Sequence, residues 1–208
     1  MGKMPENIHP IFDTFLNRDS KEKLLEQTAK VIWLTGLSGS GKSSIAKGLE
    51  RELYERGFLT IVLDGDKVRG GINDNLGFSD PDRKENIRRV AEVAKLFLNC
   101  GVITICCFVS PTNEIREQAK DIVGKDDFIE VFVNATIEEC EQRDVKGLYA
   151  KARRGEITDF TGINSPYEIP QHPDIEVKTK NKSLEQSVGE VLTFILPHIK
   201  GTFERDEI

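Results

Sequence analysis

Apolar and polar positions alternate along the chain in blocks that predict a parallel sheet covered by helices. Short β-rich apolar runs are separated by longer stretches in which apolar residues recur every three or four positions. Strands that alternate with helices in this way predict an α/β fold. The predicted strands are Val31–Thr35, Thr60–Leu63, Val102–Cys107, Phe128–Val133 and Ile175–Val177. The predicted helices are Lys42–Arg56, Pro81–Asn99, Thr112–Val123, Ile137–Gln142 and Leu184–Leu196.

Segments outside this pattern define the predicted domain organisation. Residues 1–29 are expected to form a partly helical leader and residues 202–208 a C-terminal tail, with one domain over residues 30–201. Within that domain, residues 143–172 are rich in Arg, Lys, Gly and Pro and lack a core pattern. So long an irregular segment in a compact domain is typical of a functional lid or of disorder.

The charge balance narrows the classes of partner. The 208 residues carry a formal net charge of −6, which argues against electrostatic binding to nucleic acid or to an anionic membrane. The sequence has no apolar run of membrane-spanning length and no signal-peptide core at its N-terminus. We therefore expect a cytoplasmic protein.

Four cysteines, Cys100, Cys106, Cys107 and Cys140, show no C-x-x-C spacing. The neighbours Cys106 and Cys107 would point to opposite faces of a strand. This pattern favours ordinary core thiols over a metal or disulfide role.

A glycine-rich loop between the first predicted strand and helix indicates phosphate binding. Residues 36–43 complete the motif G-x-x-x-x-G-K-[ST], whose backbone N–H groups and following helix N-terminus attract phosphate oxygens. Lys42 can reach the β- and γ-phosphates, and Ser43 can bind Mg²⁺. The alternative is a tight turn with an incidental lysine and serine. The expected nucleotide-binding residues of this loop are Gly36, Leu37, Ser38, Gly39, Ser40, Gly41, Lys42, Ser43 and Ser44.

The remaining motifs favour a kinase over a guanine-nucleotide switch. A switch needs N-K-x-D, and the nearest candidate, Asn181-Lys182-Ser183-Leu184, lacks the aspartate. Asp64 and Asp66 instead follow the second predicted strand. If the strand continues through them, both carboxylates point into the ligand crevice, where one can accept a proton from an attacking hydroxyl or hold a magnesium water. The alternative is a simple Asp-Gly turn.

Arginine residues that surround an aromatic residue suggest a second, anionic ligand. Arginine recognises phosphate or sulfate oxygens with a forked geometry, and phenylalanine offers a face on which a base can stack. The alternative is a solvated basic face with the phenylalanine in the core. One of Arg88 and Arg89 is expected to lie on such a solvated face. The residues concerned are Arg69, Phe78, Arg83, Asn86, Arg88 and Arg89.

From Val31 to Ile199 the chain closely resembles the adenylyl-sulfate kinase family. The matching stretches are "WLTGLSGSGKSS", "LDGDKVR", "LGFSDPDRKENIRRVAEVAKLF", "FVSP", "RDVKGLYAKARRGEITDFTGI" and "PYE-x-P". The resemblance implies a P-loop kinase-like three-layer fold, with a five-stranded parallel sheet flanked by helices and a mobile lid. It implies phosphorylation of the ribose 3′-hydroxyl of adenylyl sulfate by ATP with Mg²⁺, in a homodimer that binds neither nucleic acid nor membrane.

The resemblance also implies roles for individual residues. Asp66 is the carboxylate expected near the 3′-hydroxyl, and Ser110 matches a serine described in some members as a phosphorylated intermediate. We expect direct transfer instead, with Asp66 as base and Ser110 as a positioning residue, because no histidine lies within thirty residues of Ser110 to activate it. The remaining matches are Arg69, Phe78, Arg83 and Asn86 for adenylyl sulfate, Phe160 over its adenine, Lys146 in the lid, and Arg143 for the ATP adenine or phosphates.

Departures from the family pattern leave the acceptor preference open. Lys67 and Gly70 stand where the family often has asparagine and an aromatic residue or histidine, while Thr112 and Ser44 are milder changes. A related kinase with another nucleotide-like acceptor is therefore the alternative enzyme. A nucleotide-binding regulator without transfer chemistry is the non-enzyme alternative.

Overall fold

Five strands form one fully parallel sheet in the computed structural model, which describes residues 15–144 and 146–201. The strand order is β2-β3-β1-β4-β5. The strands are β1 Val31–Thr35, β2 Thr60–Asp64, β3 Ile103–Cys107, β4 Phe128–Asn134 and β5 Ile175–Lys178. Each predicted strand is confirmed to within one residue at either end.

Eight helices accompany the sheet in the described residues. The five predicted helices are confirmed, and only the last is appreciably longer than expected. Two short helices, α3 and α7, were not predicted. The bounds are α1 Arg18–Leu25, α2 Lys42–Glu55, α3 Gly65–Arg69, α4 Asp80–Leu98, α5 Asn113–Val123, α6 Ile137–Arg143, α7 Leu148–Arg153 and α8 Leu184–Ile199.

The sheet separates two apolar cores, which makes the molecule three layers thick. On one face, side chains of α2 and α8 pack against the strands, and on the other α4 and α5 do so. Strand β1 is buried at all five positions because it is central and covered on both faces. Cys107 belongs to the first core and Cys106 to the second, as their alternation along β3 predicts. The expectation of core thiols is wrong for Cys100, which is exposed.

Helix α1 lies in the predicted leader, of which residues 1–14 fall outside the described residues, as does the predicted tail 202–208. The Arg18 guanidinium donates to both carboxylate oxygens of Asp127, at 2.5 and 2.9 Å, and to the Ala29 carbonyl at 2.8 Å. The fully buried Gln27 side chain donates to the carbonyls of Leu59 and Gly101. These contacts join the segment before β1 to the rest of the sheet.

The basic segment 143–172 contributes to a small core that it shares with the glycine-rich loop and α6, contrary to the sequence interpretation. Tyr149 is 2% exposed and clusters with Leu37 of the glycine-rich loop and with Cys140 of α6. Half-buried Phe160 packs against the same cluster. The sequence analysis did not identify the apolar residues of segment 143–172 as core residues, because they lie among many charged residues. No helix in the described part of the chain is long and apolar enough to cross a membrane.

Candidate active site

A cavity of about 700 Å³ opens where β1, β2 and β3 end. Its walls are the glycine-rich loop, α3, the first turns of α4, the loop after β3, parts of segment 143–172, and the loop after β5 with the start of α8. The site residues predicted from the sequence line this cavity, except Gly36 and Leu37 of the loop and the candidates Arg88 and Arg89. The structure therefore brings the predicted nucleotide loop and the predicted second ligand site into one space.

The glycine-rich loop is held tightly against β4. Gly36 has φ +148°, and a side-chain Cβ there would lie 2.4 Å from the Val133 carbonyl oxygen. No other residue fits without moving the backbone of β4. Leu37 turns away from the cavity into the small core with Cys140. Gly36 and Leu37 thus shape the loop without lining the cavity.

Lys42 is buried inside the curve of this loop. Its Nζ donates to the carbonyls of Gly36 at 2.8 Å and Leu37 at 2.7 Å. Burial lowers the pKa of Lys42 to about 8, although nearby acidic groups such as Asp64 act in the opposite direction. A phosphate group beside this ammonium would restore its usual charge, because an anion favours the protonated form.

Ser43 and Asp64 form a pair of oxygen groups beside the loop. The Ser43 hydroxyl donates to Asp64 Oδ2 at 2.7 Å, and Asp64 Oδ1 accepts from the Asp66 backbone N–H at 3.1 Å. The expectation that Asp64 and Asp66 extend one strand is wrong, and so is the simple-turn alternative. Asp64 ends β2 and caps helix α3, because its carboxylate bonds to the N–H two residues on.

Asp66 stands in the first turn of α3 at the cavity wall. Its side chain is 76% exposed, and its carboxylate accepts a hydrogen bond from Lys146. The basic segment therefore reaches across the cavity to the carboxylate that the resemblance assigns to the reaction.

Arg69, Phe78, Arg83 and Asn86 form what we call the Phe78 pocket. Phe78 is 59% exposed, so its placement in the core is wrong. The Arg69 Cζ lies 4.3 Å from the centre of its ring, and that of Arg83 lies at 5.9 Å. Burial, followed by repulsion from Arg83, lowers the pKa of Arg69. An anion between the two guanidinium groups would offset this repulsion.

Arg83 also joins the Phe78 pocket to the basic segment. Its guanidinium donates to Thr161 Oγ1 at 2.9 Å, to the Asp159 carbonyl, and to the Phe78 carbonyl at 2.8 Å. Arg88 and Arg89 do not contribute to the pocket, since both pair with Glu85 on the outer face of α4. The solvated-face interpretation thus holds for both.

Ser110 is 2% exposed and has φ +45°, which is rare for a residue other than glycine. Its Oγ accepts from Trp33 Nε1 at 3.0 Å, and its carbonyl accepts from Arg116 at 2.6 Å. Buried Arg116 also pairs with Glu130 of β4 at 3.1 Å. These contacts hold the loop after β3 in a conformation that costs energy, which is typical of functional sites.

Arg143 and Tyr149 connect the basic segment to the glycine-rich loop. Arg143 donates to the Ser40 carbonyl at 3.2 Å and to Thr179 Oγ1 at 3.1 Å. The Tyr149 hydroxyl donates to the Ser38 carbonyl at 2.8 Å, and the Phe160 ring packs edge-on against Tyr149 at 4.9 Å. Tyr149 and Thr179 were missed from the sequence, because the loop residues that accept their hydrogen bonds, Ser38 and Ser40, lie more than a hundred residues away.

Sequence and structure comparisons match this chain to the same kind of protein. The sequence model of the adenylylsulphate kinase family matches residues 28–178. The adenylyl-sulfate kinase of Bacteroides thetaiotaomicron is 61% identical over 194 residues, which cover 93% of this chain and 96% of the relative. The APS kinase CysC of Mycobacterium tuberculosis, solved in complex with AMPPNP and APS, has a TM-score of 0.78 at 47% identity, over 81% of this chain and 98% of that one. The hexameric APS kinase from Thiobacillus denitrificans is 26% identical with a TM-score of 0.63, over 83% of this chain and 30% of that one.

Proposed function

The chain belongs to the adenylylsulphate kinase family, and on that premise we propose how its residues carry out the reaction. The protein is an ATP-dependent kinase that phosphorylates the ribose 3′-hydroxyl of adenylyl sulfate, with 3′-phosphoadenylyl sulfate and ADP as products. One observation carries the proposal most directly. A single cavity contains a complete phosphate loop, an exposed carboxylate and a pocket of two arginines around a phenylalanine.

The glycine-rich loop holds the ATP phosphates. Its backbone N–H groups and the N-terminus of α2 attract the phosphate oxygens, and Lys42 places a positive charge beside the group that is transferred. Arg143, tied to the Ser40 carbonyl and to Thr179, serves the ATP adenine or phosphates. The loop therefore lowers the barrier mainly by positioning and by charge stabilisation.

Ser43 and Asp64 have side chains that are suited to hold a magnesium ion. Both offer hard oxygen atoms, and these are 2.7 Å apart at the edge of the loop. The described residues contain no cluster of three or more acidic, histidine or cysteine side chains that could hold a metal. This donor set suits Mg²⁺, which commonly takes one or two protein ligands and completes its shell with water and phosphate oxygens. When bound, the ion neutralises charge on the phosphates.

The Phe78 pocket holds adenylyl sulfate. Phe78 offers a flat apolar face, while Arg69 and Arg83 supply positive charge for the phosphosulfate group. Phe160 also lines the cavity and closes over the adenine. Arg83 also contacts Thr161, so binding of the anion is linked to the position of the basic segment.

Asp66 is the base for a direct transfer. Its exposed carboxylate lines the cavity, pairs with Lys146, and can accept the proton of the 3′-hydroxyl. Ser110 serves as a positioning residue. Its Oγ accepts a hydrogen bond from Trp33, and no acidic or histidine side chain among the described residues bonds to it as a base.

Substitution of Asp66 tests this assignment. Asp66→Asn should lower kcat by about 100-fold or more, in the range that general bases contribute, with little change in ATP affinity. Asp74→Asn is the matched control, because Asp74 is an exposed carboxylate that follows the same helix but does not line the cavity. The measurement is ADP release with adenylyl sulfate, alongside AMP as a competing acceptor. Equal turnover in the two variants would remove Asp66 from the reaction.

The stereochemistry at phosphorus separates direct transfer from a phosphoserine route. A single displacement inverts a chiral γ-phosphoryl group, whereas two displacements through Ser110 retain its configuration. We expect inversion, and we expect Ser110→Ala to be less impaired than Asp66→Asn. Retention of configuration would contradict the direct mechanism.

The assembly and location of the protein form part of the same proposal. We propose a cytoplasmic homodimer, the assembly that the resemblance to the adenylyl-sulfate kinase family implies; one relative, the APS kinase from Thiobacillus denitrificans, is hexameric. Light scattering of the purified protein distinguishes a dimer from a monomer or a hexamer.

A further inference from the structure

We propose that buried Asn73 is a positioning residue that fixes the side-chain amide of Asn86. As a result, Asn86 presents only a hydrogen-bond donor to the Phe78 pocket. This inference deepens the proposed function and rests on it, since it describes how the pocket selects the chemical groups of adenylyl sulfate.

Asn73 is held rigidly in the turn between α3 and α4. It is 0% exposed, and its backbone N–H donates to the Val68 carbonyl at 3.0 Å. Its own carbonyl accepts from the Leu76 N–H at 3.1 Å. Because both backbone groups are bonded, the direction of the side chain is fixed by the fold of the turn.

The side-chain amides of Asn73 and Asn86 can form a hydrogen bond in only one orientation. Asn73 Nδ2 lies 2.9 Å from Asn86 Oδ1 and 3.4 Å from the Asn86 backbone carbonyl oxygen. That carbonyl can only accept hydrogen bonds, so Asn73 must turn its nitrogen towards it. The nitrogen of Asn73 then requires an oxygen from the Asn86 side chain. The reversed amide of Asn86 would place two donors together.

This arrangement leaves the nitrogen of Asn86 for the ligand. Asn86 is 4% exposed and lines the cavity, and its Nδ2 makes no hydrogen bond with the described residues. Asn73 Oδ1 is buried without a partner within the described residues, which is unfavourable for stability. Asn73 therefore does not serve stability alone. Its buried amide is better explained by its effect on Asn86, whose side chain it orients. The ligand atom opposite Asn86 must therefore be an acceptor, such as a ring nitrogen or an oxygen.

Two substitutions that exchange nitrogen for oxygen test this polarity. In Asn73→Asp, the introduced carboxylate can only accept, so Asn86 should rotate and turn its oxygen towards the ligand. In Asn86→Asp, the bond from Asn73 is kept, but an oxygen replaces the nitrogen in the cavity. Both should raise the Kd for adenylyl sulfate by roughly tenfold or more, because an acceptor then faces an acceptor. The Kd for ATP should stay within about twofold.

Asn75→Asp is the matched control, because it makes the same change two residues along. Asn75 is exposed and accepts from Arg89 at 2.8 Å, so its substitution should leave both Kd values unchanged. Calorimetric titration of each ligand and thermal unfolding are measured for all variants. If Asn73→Asp does not fold, Asn86→Asp still tests whether Asn86 presents a donor to the ligand.

Different results would contradict the role of Asn73 and the proposed function. An unchanged Kd for adenylyl sulfate in Asn86→Asp, or an equal loss of both ligands in a folded Asn73→Asp, would overturn the orientation by Asn73. Lack of adenylyl sulfate binding and of ADP release by the unsubstituted protein would instead overturn the proposed function.

Discussion

At the scale of single residues, Lys42 shows how a buried cation depends on its ligand. Two loop carbonyls accept hydrogen bonds from its Nζ, yet burial still lowers its pKa to about 8. The ordinary value is 10.5, so without a bound phosphate Lys42 loses its proton within a pH range in which most proteins remain folded. Above about pH 8, nucleotide binding is then coupled to the uptake of a proton from the solvent.

We therefore predict that ATP affinity falls as pH rises through about 8. Below that pH Lys42 is already charged, whereas above it each further unit should weaken binding up to about tenfold, since binding takes up one proton. Calorimetry of ATP between about pH 7 and about pH 9.5 measures this slope. Lys42→Arg should bind with no such slope, because arginine does not titrate there. Lys47→Ala, an exposed change on the same helix, should follow the unsubstituted protein. A flat profile for the unsubstituted protein would contradict the prediction.

At the scale of elements, the basic segment is anchored unevenly. Tyr149 of α7 is buried under the glycine-rich loop, whereas the ion pairs of Lys146 with Asp66 and of Arg153 with Glu141 are exposed. Exposed pairs contribute only about 0–1 kcal/mol each. Within residues 146–157, the buried side chains of α7, Tyr149 and Ala152, are thus accompanied only by weak exposed ion pairs, as a closing lid requires.

Hydrogen exchange should show this lid behaviour. Without ligands, backbone amides of residues 146–157 should exchange faster than those of α8, and they should slow when ADP and adenylyl sulfate bind together. Tyr149→Phe removes the bond to the Ser38 carbonyl and should speed exchange further in the ligand-free protein. Slow exchange that ligands leave unchanged would show that the segment does not act as a lid.

The elements also show which signals the sequence contains. Strand β1, the glycine-rich loop and α2 were predictable because their pattern is local and continuous. Helix α3 was missed since it has five residues and depends on Asp64 as its cap. No local pattern predicts contacts between residues that are far apart in sequence. Examples are the hydrogen bond of Ser43 with Asp64 and the ion pair of Arg116 with Glu130.

At the scale of the whole molecule, one cavity contains two proposed binding sites, and a different residue provides positive charge in each. Lys42 lies in the proposed nucleotide site, and Arg83 lies in the Phe78 pocket that is proposed for adenylyl sulfate. Because each ligand stabilises the folded protein according to its own affinity, the two sites can be tested separately through stability.

We predict a crossed pattern of thermal shifts. Lys42→Ala should lose most of the stabilisation by an ATP analogue but keep that by adenylyl sulfate, and Arg83→Ala should do the reverse. A ligand at about 100 times its Kd contributes about 2.7 kcal/mol, so the lost shift is easily measured. Arg51→Ala, a change at a side chain 81% exposed, is the control. Equal loss of both shifts in Arg83→Ala would remove that residue from the adenylyl sulfate site.

The bond between Trp33 and Ser110 has an optical consequence. Trp33 is the chain's single tryptophan, fully buried and stacked on Phe108 and Phe128 at 5.6 and 5.5 Å. Its indole N–H donates to the hydroxyl of Ser110 in the cavity wall. All tryptophan fluorescence of the protein therefore comes from one indole in contact with the active site. Its emission reports the state of the Ser110 loop without any added label.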